Sequence, residues 1–321
     1  MRAKALGGLF ALLTSLAAHS ALAQTPASPR PAPAVRKAEP AQTRALPTKA
    51  EKREHRLVWK YPKFRLWQYA AAGITSGVNV YIEFGGPEYP DSRYRGPVLF
   101  DRAARDLFRV NDSETAESIA ANSDYLWYGT QYFSFFDGIV TPLLFDNGNF
   151  EVAWQLSMIN WQGIGLAFFM TRLTHLAVGR TRPSQYGCSH DPDAEFPCTS
   201  AGPSFISGHT SMSAVGAGMA CMHHQFLPLY GGGAPDIAVC AVLGASVLTV
   251  GSMRLMSDRH WASDVIAGLL VGGGIGLGLP WFLHYSKSGP EPLGSGFLPP
   301  TMAIVPTLND GQPGLAAIGL F

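Results

Sequence analysis

The stretch Val265-Ile-Ala-Gly-Leu-Leu-Val-Gly-Gly-Gly-Ile-Gly-Leu-Gly-Leu-Pro-Trp-Phe-Leu283 carries no charge over about 19 residues. As a helix that is long enough to cross a bilayer. Gly268, Gly272 and Gly276 recur every fourth residue, which gives the helix one small face for close packing against a neighbour. Just upstream, Ile237–Val250 is apolar apart from Ser246 and Thr249. Leu66–Ile82, Tyr125–Phe145, Ala153–Met170 and His209–Leu227 read as further helices, interrupted by polar residues such as Gln68, Asn79, Asp137, Asn160 and Gln162. An amphipathic helix is expected around Arg102–Ala121, with Leu107 and Val110 on one face. The expected architecture is therefore an all-α helical bundle, embedded in or associated with a membrane.

Composition agrees. Charged residues make up 15% of the 321, against about 25% in a typical soluble domain, and hydrophobic residues make up 47%. Disorder and a nucleic-acid-binding surface are both excluded by this balance, since Lys+Arg (24) barely outnumber Asp+Glu (23). The 35 glycines follow no Gly-X-Y period, which excludes collagen. Four cysteines are too few for a disulfide scaffold but enough for one or two bridges.

The ends of the chain read differently from its middle. Arg2 and Lys4 precede an apolar run from Leu6 to Ala18 and an Ala21-Leu22-Ala23 cleavage pattern, so residues 1–23 are expected to be an export signal. Residues 24–50 hold six prolines and no hydrophobic period between Gln24 and Lys49, which describes a disordered tether. Residues 51–285 form the expected catalytic domain, entered through the basic cluster Lys52, Arg53, Arg56, Lys60, Lys63 and Arg65. In residues 286–321, Thr301–Pro306 and Leu315–Phe321 flank Asn309-Asp310-Gly311, the pattern of a short β-hairpin.

Unusual polar residues gather in three clusters at the ends of apolar helices. His175, Arg180 and Arg182, stopped by Pro183, form a candidate anion cradle. Ser207-Gly208-His209 opens a helix, where backbone N–H groups and a hydroxyl can meet an oxyanion, with an imidazole beside them. Arg254, His260 and Asp264 make the third; the last two are four apart and share a helix face, where a carboxylate can hold an imidazole nitrogen. Cations, a helix N-terminus and two histidines together describe a site that binds phosphate and transfers it through a histidine. The residues alone leave open which histidine attacks.

The combined pattern resembles the type 2 phosphatidic acid phosphatase superfamily, whose motifs run Lys-x6-Arg-Pro, Pro-Ser-Gly-His and Ser-Arg-x5-His-x3-Asp. Here they read His175-x6-Arg182-Pro183, Ile206-Ser207-Gly208-His209 and Met253-Arg254-x5-His260-x3-Asp264, within roughly Trp154–Tyr285. The resemblance implies a phosphatase of the helical type shared with haloperoxidases. It also implies His260 as the nucleophile, Asp264 as the group that orients and polarises it, and His209 as the acid that protonates the leaving oxygen. Arg182, Arg254, Ser207 and the Gly208 N–H would stabilise the pentacoordinate phosphorus, with no metal or cofactor. His175 stands where the family has lysine, which implies a shorter, pH-dependent cation and activity leaning acidic. Ile206 and Met253 replace a proline and a serine.

Cys188 and Cys198 bracket a loop between the first two motifs, where a bridge would fit an oxidising, extracytoplasmic compartment. Cys221 and Cys240 are expected as buried small hydrophobes, and His223-His224 as an interfacial polar pair. The substrate expected is a phosphorylated lipid, a phosphomonoester or pyrophosphate whose tails stay in the bilayer, with the protein exported and its site on the periplasmic side of the inner membrane. The alternatives are a soluble periplasmic acid phosphatase acting on small organic phosphates, and a catalytically degenerate membrane protein. A vanadium-dependent haloperoxidase shares the oxyanion cradle, but the chain is short for one. Oligomeric state is not readable.

Overall fold

The computed structural model describes residues 54–86, 89, 93–94, 96–190, 202–286, 302–309 and 312–319. The expected signal, tether and Cys198 lie outside the described residues. The helices are α1 (Leu66–Phe84), α2 (Asp101–Phe108), α3 (Ser113–Phe145), α4 (Phe150–Val178), α5 (Pro183–His190), α6 (Gly208–Phe226), α7 (Ala234–Met256) and α8 (Ala262–Pro280). A π-helical turn, Trp281–Tyr285, prolongs α8. One antiparallel strand pair, β1 (Met302–Asn309) with β2 (Gln312–Gly319), runs from Met302↔Gly319 to Asn309↔Gln312.

Six long helices pack side by side, and pairs of contacts fix their directions. Asp124 of α3 meets His209 of α6, and Asp137 meets His224 farther along both, so α3 and α6 run the same way. Trp154 to Tyr69 and Arg172 to Glu83 make α1 and α4 parallel to each other. Cys221–Cys240 near one end and Arg254–Asp124 near the other turn α7 against α6 and α3. As a result the α1–α3, α4–α6 and α7–α8 connections all meet at one end of the bundle.

The glycine face of α8 lies on α6. A Cβ at Gly268 would stand 2.6 Å from the Ser207 carbonyl oxygen, one at Gly272 2.0 Å from that of Ser211, and one at Gly276 2.6 Å from that of Val215. The helices therefore touch backbone to backbone, in register, four residues at a time. From the other side, a Cβ at Gly218 would meet the Gly276 carbonyl carbon at 2.8 Å. Around this contact the core fills with Ile159, Met212, Val215 and Met219 on one flank and Ala217, Ala220, Leu243 and Val247 on another.

The outer surface is apolar. Val242 and Leu248 on α7 and Ile266 and Leu270 on α8 are exposed, as are Ile74, Val80 and Phe84 on α1. α7, and α8 with its π turn, are long and apolar enough to cross a membrane, and only 33% and 22% of their most apolar windows is buried. A core helix of a soluble bundle would be wrapped by its neighbours, so this exposure marks membrane association.

Three expectations need correction. The single helix expected over Arg102–Ala121 is two, because the Asp112 side chain accepts the Thr115 N–H and starts α3 afresh, while the Val110 N–H donates to Met256 O. α3 then continues without a break through Phe145. Cys221 and Cys240 are not free thiols: they face one another across the α6–α7 contact with Cα atoms 4.7 Å apart and form a disulfide. His223 and His224 are buried. His223 lies between Asn160 and the Tyr285 hydroxyl, and His224 between the carboxylates of Asp137 and Asp236.

The α6–α8 contact gives a paired test. Gly272→Ala should lower unfolding stability by about 2–3 kcal/mol, because backbone has to move to admit the methyl group. Gly274→Ala, whose Cβ meets nothing within 4 Å, should be neutral or stabilising by up to about 1 kcal/mol. Thermal unfolding in detergent checks both, and equal effects would refute the backbone contact.

Candidate active site

The start of α6 presents backbone amides suited to an anion. Ser207 occupies the N-cap, but its hydroxyl pairs with the Thr210 hydroxyl at 3.0 Å and caps no amide. The first amide taken up by the helix is that of Ser211, which donates to Ser207 O. The N–H groups ahead of it are left to a ligand, with the positive end of the helix dipole behind them. Gly208 allows this close approach: a Cβ there would press on Thr171 Cγ2 at 3.3 Å. The Ser207 N–H donates to Asp264 O at 3.0 Å, which ties this helix start to the first turn of α8.

His260 lies in the turn between α7 and α8, whose Arg259 and His260 amides both donate to Arg254 O. Its Nδ1 is 2.8 Å from Ser204 O. A carbonyl can only accept, so Nδ1 carries the proton and Nε2 keeps its lone pair. Among the described residues no group bonds Nε2. Burial, then the positive charges of Arg182 and Arg254, hold His260 well below the ordinary histidine range. The imidazole is neutral, oriented and nucleophilic at one nitrogen.

Asp264 does not hold His260 as expected. Its Oδ2 is 3.9 Å from Nδ1, beyond hydrogen-bond reach. The carboxylate instead accepts the Trp261 N–H at 2.9 Å and Arg180 Nη1 at 2.6 Å. It fixes the start of α8 and acts on the histidine through the backbone. Arg180 likewise leaves the anion cradle. It is buried, and its guanidinium joins Asp264 to Asp101 of α2 at 2.5 Å. Two carboxylates satisfy it, and none of its charge is free for phosphate.

Arg182 and Arg254 remain as site cations. Arg182 Nε donates to Gly202 O at 3.2 Å. Burial and the nearby Arg259 lower Arg182 only to about 10, so it stays charged at neutral pH. Arg254 is buried on α7, where Nη1 donates to Ser123 Oγ at 2.9 Å and to Asp124 at 3.2 Å. Its Nε has no partner. His209 Nε2 lies 2.7 Å from the same Asp124 carboxylate, with the Trp127 ring 4.8 Å away. Burial lowers His209, the Asp124 hydrogen bond raises it, and Arg254 lowers it again, with a net downward shift.

The structure thus gathers His260, His209, Arg182, Arg254, Ser207 and Gly208 at one end of the bundle. His175 is near but is no cation: its Nε2 donates to Ile206 O at 2.9 Å. Burial, together with Arg172 and Arg182, pushes it down to about 4, so the acid-leaning activity expected from its charge loses its basis. Cys198 of the expected Cys188–Cys198 bridge lies outside the described residues. Sequence reasoning missed two groups, the Asp124 carboxylate and the Ser204 carbonyl. Asp124 had one visible signal, as a lone charge just before the apolar run from Tyr125.

Residues 159–288 match the model of the PAP2 superfamily. The matched residues contain all three motif clusters, and Asp124 precedes them. The match supports phosphatase chemistry in general. No curated protein matches the chain. Among solved structures it is similar to a transmembrane PAP2-type phosphatidylglycerolphosphate phosphatase from Bacillus subtilis, at 15% identity, covering 67% of this chain and 94% of that one with a TM-score of 0.43. That likeness is too loose to carry an argument about this chain.

His175 gives a pH test. A histidine that titrates near 6.5 unfolded and near 4 folded binds fewer protons in the native state between those values. Stability is therefore lost as pH falls from 6.5 toward 4, by about 2–3 kcal/mol at pH 4.5. His175→Gln should remove that share of the acid sensitivity when each protein is compared with itself at pH 7. An unchanged acid dependence in the variant would contradict the buried neutral state.

Proposed function

We propose that this protein is a membrane-associated phosphatase that hydrolyses a phosphomonoester or diphosphate of a lipid through a phosphohistidine on His260. The observation that carries this reading is the geometry of His260, whose Nδ1–H is held by Ser204 O while Nε2 is left free beside two arginines and an uncapped helix N-terminus. Nε2 attacks phosphorus as the bond to the leaving oxygen breaks, and His209 supplies that oxygen with a proton. Water then attacks the phosphohistidine and gives a proton back to His209, releasing inorganic phosphate. Arg182, Arg254 and the first amides of α6 bear the charge that builds on the equatorial oxygens. These fixed cations supply the positive charge the reaction needs, so activity is expected to persist in EDTA. Asp264 serves as a positioning residue, holding the turn that presents His260.

The apolar exteriors of α7 and α8 support a lipid substrate, because a site at the end of such helices receives a headgroup while the tails stay among them. The reading puts the site on the periplasmic side of the inner membrane. The signal-like N-terminus and the Cys221–Cys240 disulfide both suit an oxidising compartment.

The test is phosphate release from phosphatidic acid micelles and from p-nitrophenyl phosphate, with EDTA, from pH 5 to 8. Wild type should prefer the lipid, and His260→Ala should lose activity by on the order of 10³-fold or more. Equal or better activity on the soluble ester would replace the lipid with small organic phosphates. Retained activity in His260→Ala would overturn the nucleophile.

A further inference from the structure

Asp124 is the charged group at the site that the proposed mechanism leaves without a task. It sits on α3, ahead of residues 159–288, and its carboxylate is half exposed at the site end of the bundle. One oxygen, Oδ1, lies 2.7 Å from His209 Nε2 and 3.2 Å from Arg254 Nη1. The neighbouring Ser123 hydroxyl, buried, takes the same Arg254 nitrogen at 2.9 Å. Two adjacent residues of one helix turn thus hold both an acid–base candidate and a phosphate-binding cation.

We infer that Asp124 is the positioning residue of the acid step: it holds Nε2–H of His209 and steadies Arg254, which leaves His209 Nδ1 to exchange the proton. This rests on the phosphatase reading above. A carboxylate can only accept, so the His209 nitrogen facing it carries hydrogen. Nδ1 has no partner among the described residues.

In the first half-reaction the Nδ1 proton passes to the leaving oxygen as its bond to phosphorus breaks and the His260 Nε2–P bond forms. His209 is then neutral, still bound to Asp124 through Nε2–H. In the second, water oxygen bonds to phosphorus, the N–P bond breaks, and the water proton returns to Nδ1. Both steps need an imidazolium that forms and discharges readily. The other charged or titratable groups facing His209 are Arg254 from α7, Arg182 ahead of α5 and His260 ahead of α8; the two arginines disfavour its cation. Asp124 from α3 is the group that favours it.

The experiment compares wild type, Asp124→Asn and Asp124→Glu on an alkyl phosphate and on p-nitrophenyl phosphate. The alkoxide needs a proton to depart and the nitrophenolate does not. Asp124→Asn should lower kcat/KM for the alkyl ester at least tenfold more than for the nitrophenyl ester. It should also move the alkaline limb of the alkyl profile down by about one pH unit. Asp124→Glu should recover part of both effects, which a folding defect would not allow. In parallel, the His209 imidazole, assigned by its loss in His209→Gln, is titrated by NMR and should show a lower midpoint in Asp124→Asn.

Equal losses on the two esters with an unmoved alkaline limb would overturn the role, as would an unchanged His209 midpoint. A wild type inactive on both esters and on phosphatidic acid would instead remove the phosphatase reading, while the NMR titration still decides whether Asp124 governs the His209 proton.

Discussion

The glycine-lined contact between α6 and α8 is the constraint on which the rest of the site depends. Gly268, Gly272 and Gly276 let the two backbones touch, opposite Ser207, Ser211 and Val215. The first of these contacts lies at the N-cap of α6. The same closeness lets the Ser207 N–H donate to Asp264 O, so the start of α6 is bonded to the first turn of α8, next to the turn that carries His260. Side chains larger than glycine would force the two backbones, and with them the α6 start and the His260 turn, apart. Helix packing through glycine and the placement of the three motif clusters are here one feature.

The second organising fact is how the positive charges are divided. Arg180 is fully engaged by Asp101 and Asp264, so its role is to lock α2, the connection after α4 and the start of α8 together. Arg182 bonds a backbone carbonyl and Arg254 pairs with the half-exposed Asp124, while among the described residues Arg254 keeps a buried Nε without a partner. A buried guanidinium lacking a full set of acceptors is costly until an anion arrives. Arginines two positions apart in sequence are therefore placed differently, one tied to two carboxylates and one bonded to a backbone carbonyl. His175 follows the same division, taken up by the Ile206 carbonyl rather than kept as a charge.

Much of this was legible in the sequence. The apolar runs located all six long helices, and the glycine period of Val265–Leu283 foretold the face that α8 turns to α6. Residue spacing located the three clusters that meet at one end. What the sequence hid has a common cause. The Ser204 carbonyl that orients His260 is backbone, and no residue identity encodes it. Asp124 comes from a helix remote in sequence, and only tertiary packing brings it to His209. Asp264 looked like a partner for His260 because i,i+4 spacing places both on one face, yet its carboxylate turns to Arg180 and the Trp261 amide. Cys221 and Cys240 meet only because α6 and α7 are antiparallel neighbours joined by a short loop.

The central claim is that phosphorus is attacked first by His260 Nε2 and only then by water. The most direct measurement is the stereochemical course at phosphorus, using an ester made chiral with oxygen isotopes and wild-type enzyme in detergent. Two successive in-line displacements predict overall retention of configuration. Inversion would mean a single direct attack by water, and would contradict the phosphohistidine and the role given to His260.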